Sequence, residues 1–237
     1  MRKNIISFII LLGSGFILSA QDLTIEYNFG YGSFCMRDFR NFLEDKSFVN
    51  SEGVEFRGLK VTDDFPGHWI NQVKVGVEIT KEHQTGLSFD FLNTAGRKAL
   101  SDPSGHYDYT LRTKGVRIGE FYRYSPSFLS KGIVQPYVML TAGVMLNKCK
   151  IEESFEVYKT DLNSKYKSDL DGFNLFVEPA LGCKIRLHDK IALNLNAGYQ
   201  LDFMKYLEDK IDEISVTPIW SGLRFQGGVV FYIPLRR

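Results

Sequence analysis

Eleven charged residues recur at alternating positions within otherwise apolar segments: Glu26, Lys74, Glu78, Asp90, Arg117, Arg123, Glu178, Lys184, Arg186, Asp202 and Arg224. The five acids and six bases are close to balance, so the chemistry open to them is electrostatic. A buried charge without a partner is strongly unfavourable. Enclosed together, these groups make either a salt-bridged, hydrated plug or, on a sharper reading, a narrow ion path or a gated polar site. Catalytic sets are thin by comparison. The histidines are His68, His83, His106 and His188, and Ser104 lies two residues from His106. A lipid-modifying enzyme would need such a pair on an outer connection, but no acid is placed to orient it. No catalytic residue is assigned and the chain is read as a non-enzyme. It carries no zinc spacing, phosphate loop or dinucleotide fingerprint, so no metal or cofactor is expected.

The elements that position these charges are strands. From Ile191 to Phe203, residues Ile191, Leu193, Leu195, Ala197, Tyr199, Leu201 and Phe203 share one face. Ala192, Asn194, Asn196, Gly198, Gln200 and Asp202 share the other, because strand side chains alternate with period two. Such a segment is long enough to cross a bilayer when tilted. Seven further segments alternate similarly: 23–31, 69–79, 87–94, 116–124, 134–146, 173–187 and 223–233. The connections between the eight strands, near 34–68, 80–85, 96–108, 125–132, 148–172, 188–190 and 204–219, run long, short, long, short, long, short, long. Outer-membrane barrels have short periplasmic turns and long outer loops. The expected fold is therefore all-β: an eight-stranded antiparallel up-and-down transmembrane β-barrel. A soluble ligand-binding barrel shares this periodicity with its apolar face inward. Concentration of charge on one face and apolar faces running the full strand length favour the lipid-out arrangement.

Residues 1–20 read as a cleaved signal peptide. Arg2 and Lys3 precede an apolar run, and Leu18-Ser19-Ala20 places cleavage between Ala20 and Gln21. Residues 21–237 then form one barrel domain, localised to the bacterial outer membrane. Removing the leader takes 29 basic residues to 27 against 28 acidic ones, a balance that offers no case for nucleic acid. The partners expected are outer-membrane lipid and, through the loops, an envelope protein or surface ligand.

Within the connections, Met36 to Asp45 sets Met36, Phe39 and Leu43 at helical spacing, as a cover for the barrel mouth. Cys35 and Cys149 fall in connections, where an oxidising envelope allows a disulfide between them, and Cys183 falls on an apolar face. Tyr27, Tyr31, Trp69, Tyr122, Tyr124, Tyr199, Phe203 and Phe231 lie near strand ends, as interfacial girdles do. Glu120 breaks the pattern. Alternation places it on the lipid face, so a bulge or an interfacial position is expected there.

The chain resembles small outer-membrane barrels of the OmpX and OmpA-transmembrane-domain type, and more closely the PorT-like barrels of Bacteroidota. The pieces that carry the resemblance are Asn28-Phe-Gly-Tyr-Gly-Ser-Phe34, Thr94-Ala-Gly-Arg97, Phe121-Tyr-Arg-Tyr124, Gln135-Pro-Tyr-Val138 and Trp220-Ser-Gly-Leu-Arg-Phe225. The resemblance implies the fold, and in its PorT-like form an accessory role in protein secretion. It brings no ligand or catalytic residue. The C-terminus departs from it, since Pro234-Leu235-Arg236-Arg237 follows the last aromatic segment. Two broader roles stand beside it: a structural or interaction protein working through its loops, and a small channel for ions or small solutes.

Overall fold

The structure is a computed structural model that describes residues 22–235, apart from 45–46, 50–54, 58–59, 104, 131, 159–162 and 208–217. The leader and the Ala20–Gln21 junction lie outside the described residues. The first strand, β1 (Asp22–Gly32), leads to helix α1 (Arg37–Glu44), the short strands β2 (Ser47–Val49) and β3 (Glu55–Arg57), and β4 (Lys60–Asp64). Then follow β5 (His68–Glu78), β6 (His83–Asp102), β7 (Gly105–Tyr124), β8 (Val134–Val157), β9 (Asn163–His188), β10 (Ile191–Leu207) and β11 (Gly222–Pro234).

Eight of these strands close a ring in the order β1-β5-β6-β7-β8-β9-β10-β11, each antiparallel to its neighbours. Pairing of β1 with β11, from Asp22 opposite Pro234 to Gly32 opposite Arg224, seals it. Closure removes the free edges that would otherwise recruit another chain. Strand β4 pairs with β6 above β5 and continues its place in the wall after an interruption at 65–67. One end of the ring carries both described termini and the connections after β5, β7 and β9. The other end carries the remaining connections, including α1.

The faces divide as alternation requires. Leu140, Leu195, Leu201 and Phe225 point outward, each at least half exposed, whereas Asn28, Asn194 and Gln200 point inward and are wholly buried. An exposed apolar belt around a closed ring is a surface made for hydrocarbon, and the chain spans a membrane with these strands.

Three expectations need correction. The connections expected at 96–108 and 148–172 are largely strand: β6 and β7 pair without a break up to Asp102 opposite Gly105, and β8 and β9 up to Glu156 opposite Asn163. Strands of 24 and 26 residues far exceed the roughly 10 that a bilayer crossing uses, so this side of the wall stands well above the belt. The cysteines are free. Cys149 lies on the inner face of β8, with Thr113 Oγ1 at 3.7 Å from its sulfur, and makes no disulfide with Cys35. Of the two expectations for Glu120 the bulge does not hold: the residue sits in unbroken register between Leu87 and Ala142 and is exposed on the outer face.

Candidate functional site

The barrel interior is built in two tiers. The lower tier, nearer the turn end, holds the charges. Arg123 grips Glu26 with two hydrogen bonds, 2.5 and 2.9 Å, and donates to Gln84 Oε1 at 2.7 Å. Lys184 donates to the same oxygen at 2.8 Å and pairs with Glu78 at 3.4 Å. Higher up, Arg117 pairs with both Asp90 and Glu178, and Arg224 lies 3.5 Å from Glu178. Gln200 links the two guanidiniums, accepting from Arg117 at 3.0 Å and from Arg224. The cations also lie against aromatic faces, Arg123 4.3 Å from the Tyr137 ring centre and Arg117 4.7 Å from that of Phe176.

Of the eleven charges expected inside, eight are thus joined as ion pairs. The other three behave differently. Lys74 makes no ion pair among the described residues; its ammonium lies 3.3 Å from Met139 Sδ and over the Phe121 ring. Arg186 stacks on Tyr232 at 4.8 Å. Asp202 acts as a tether, accepting from the Trp220 backbone at 2.6 Å and from Asn174 at 3.3 Å. With Trp220 Nε1 donating to Asn147 at 2.8 Å, it ties the approach to β11 into the lumen.

The upper tier is mainly apolar, with Lys98 and Glu153 buried near its top. Phe34, Met36, Phe39, Leu43, Phe65 and Ile70 pack against Leu92, Leu111, Met145, Cys149, Ile151, Leu170 and Trp220, all buried. Helix α1 supplies Phe39 and Leu43 from its inner face and so stoppers the mouth. Close approach depends on Gly96, where a Cβ would stand 2.5 Å from the Phe65 ring. Met36 and Phe65 flank the stopper with φ of 41° and 43°, left-handed values that cost about 1–3 kcal/mol each and persist because both side chains are fully buried. Arg40 pins the helix from outside, pairing with Asp64 at 3.1 Å.

Sequence reasoning located the helix but missed the apolar tier. The missing signal lies in β7, where Leu111, Tyr109 and Tyr107 keep the inward parity of Arg117. It is readable only once the strand is extended beyond the belt.

The remaining histidines assemble no catalytic set among the described residues. His83 Nδ1 lies 2.6 Å from the Tyr122 hydroxyl, and His68 Nδ1 lies 3.4 Å from a backbone carbonyl. His106 Nε2 is 3.9 Å from Asp108, whose carboxylate already accepts from Arg97 at 2.8 Å. Ser104 lies outside the described residues.

No family model matches the chain, and no curated protein matches it. Solved structures similar to it include the outer membrane protein OprG from Pseudomonas aeruginosa, 15% identical with a TM-score of 0.44, covering 92% of this chain and 98% of that one. A major outer membrane protein from Thermus thermophilus is 10% identical with a TM-score of 0.49, covering 89% and 99%. Neisserial surface protein A is 11% identical with a TM-score of 0.41, covering 89% and 96%. The fold assignment itself rests on the closed ring and its two faces.

Proposed function

We propose that this chain is an integral barrel of the bacterial outer membrane, closed to solutes, whose role is structural or interactive through its outer surface. The observation that carries this reading is the apolar stopper above the ion-pair network. An eight-stranded ring has an interior just wide enough to be filled by side chains. Here Lys74, Arg117, Arg123 and Arg224 are wholly buried in the lumen, and Phe39, Leu43, Phe65 and Trp220 close the mouth above them. This filling of the lumen supports a barrel without a continuous water column for ions.

Export and insertion put the termini and short turns in the periplasm and the tall wall of β6 to β9 outside. That wall, with the connections at its end, is the surface offered to an envelope partner. The PorT-like resemblance supports an accessory role in secretion as the specific form of this reading. Lipid-modifying chemistry is not part of it, because Asp108 is engaged by Arg97 rather than orienting His106.

The test is crosslinking in intact cells, followed by affinity capture of the tagged full chain. A recurrent stoichiometric envelope partner, lost when the α1-to-β4 connection is replaced by a short turn, is the expected result. Capture that never yields a stoichiometric partner would overturn the interaction role.

A further inference from the structure

We infer that the outer face of β7 and β8, just above the apolar belt, binds the phosphate headgroups of outer-leaflet lipid. The inference rests on the outer-membrane reading above and assigns one of its partners. The last apolar row of this flank runs Phe91–Val116–Leu146–Phe173 across β6 to β9. The next outward row contains Lys114 directly opposite Lys148, and the row above it Arg112 directly opposite Lys150. All four side chains are exposed. Like charges directly opposite on a sheet are destabilising, and here two such pairs stack into a block of four cations.

Local acids answer only half of the block. Asp169 lies 3.4 Å from Lys148 and 4.0 Å from Lys150, and Asp171 stands directly opposite Lys148 on β9, two acids against four cations. Arg112 and Lys114 have neither a hydrogen bond nor an ion pair among the described residues. Farther from the membrane acids are interleaved with the bases: Lys167 pairs with Glu152 at 3.2 Å and Arg97 donates to Asp108 at 2.8 Å, although Lys165 has no ion pair among the described residues. Two stacked like-charge pairs therefore mark the two rows that border the hydrocarbon.

Height identifies the occupant. Successive outward residues lie about 6.7 Å apart along a strand, or about 5 Å in height at a tilt of about 40°, so the two rows stand roughly 5 and 10 Å above the last apolar row. The lower row falls in the headgroup layer, about 5–8 Å of polar region on each side of the hydrocarbon core, and the long side chains of the upper row border it. A phosphate there meets a guanidinium able to bind two oxygens and ammoniums beside it. On the opposite flank β1 and β5 end on the aromatics Tyr31 and Trp69, so the arrangement is one-sided.

The experiment uses the mature chain, folded and held in detergent, with retained lipid counted by native mass spectrometry. The probes are diphosphorylated lipid A and the same lipid stripped of phosphate. The native protein should retain the phosphorylated probe selectively. Arg112→Gln with Lys114→Gln should weaken retention by roughly 30-fold, from about 1 kcal/mol per cation near a charged surface. Arg112→Lys with Lys114→Arg should keep it, and Lys165→Gln with Lys167→Gln should change it by less than about twofold. Equal retention of both probes, or an unchanged affinity in the Gln pair, would overturn the inference. Heat-modifiable electrophoretic mobility, read on every variant, reports the barrel itself; its absence from the native chain would instead overturn the outer-membrane reading.

Discussion

The lower and upper halves of this barrel reverse their faces. Below the row of Val116 and Leu146, the outside is apolar apart from Glu120, and the inside carries Glu26, Arg117, Arg123 and Glu178. Above it the outside carries Arg112, Lys114, Lys148 and Lys150, whereas Leu111, Cys149, Ile151 and Leu170 fill the inside. The same strands run through both halves, so the solvent at each height dictates which face is polar. Hydrocarbon outside forces polar groups inward, where they must pair; water outside restores an ordinary apolar core. The two halves should therefore respond to substitution in different ways.

The largest effect is expected in the lower half. Arg117→Met leaves Asp90 and Glu178 without their shared cation and should destabilise the barrel by about 3–5 kcal/mol, read by urea unfolding from phospholipid vesicles. A loss below about 1 kcal/mol would mean that the network is not what holds this half together.

Breaking the upper half should leave the wall standing. Phe39→Ala removes a fully buried ring of α1, an effect of about 3 kcal/mol that falls on docking of the stopper rather than on the ring of strands. In a background carrying Cys35→Ser and Cys183→Ser, maleimide labelling of Cys149 should accelerate about 100-fold while the urea midpoint moves little. A shift of the midpoint without faster labelling would show that the two tiers unfold as one.

Lys74 sharpens the contrast within the lower half. Its ammonium has Met139 and Phe121 as neighbours and makes no ion pair among the described residues. Lys74→Met should therefore lie within about 1 kcal/mol of the native protein, or above it, in the same urea titration. A loss as large as that for Arg117→Met would give the lysine a role in the network that its contacts do not suggest.

The smallest effect belongs to the water-facing wall. Burial raises the Asp108 carboxyl, but hydrogen bonds from Arg97 and Thr110 outweigh it and hold the group below its usual range. A depressed carboxylate contributes stability that is complete above its unfolded value, near 3.9, and is lost as pH falls through the lower folded value. This partly exposed clasp is worth less than about 1 kcal/mol. Hydrogen exchange at the tips of β6 and β7 should quicken only below about pH 4, with the belt unaffected. Quickening already at pH 6 would mean that this clasp is not what holds the tips.

The reversal of faces also explains what the sequence could disclose. Alternation through 191–203 and its counterparts marked eight crossings, and inward parity collected eleven charges, of which Glu26, Lys74, Asp90, Arg117, Arg123, Glu178, Lys184 and Arg224 are buried and Glu78, Arg186 and Asp202 are partly exposed. Met36, Phe39 and Leu43 marked the helix by spacing alone. The tall wall was hidden because Lys114 and Arg112 continue the outward parity of Val116 with opposite polarity, and Gly96 with Pro103 resembles a loop. A pattern search with fixed polarity ends where the solvent changes. The tether role of Asp202 depends on where the approach to β11 returns into the lumen, a long-range packing event that leaves no local periodicity.

Planar-bilayer recording of the folded chain tests the closed, two-tier interior most directly. A lumen filled in this way predicts repeated silence at moderate voltage from protein whose folding is verified by heat-modifiable mobility. Stable, reproducible single-channel steps from the native protein would contradict it.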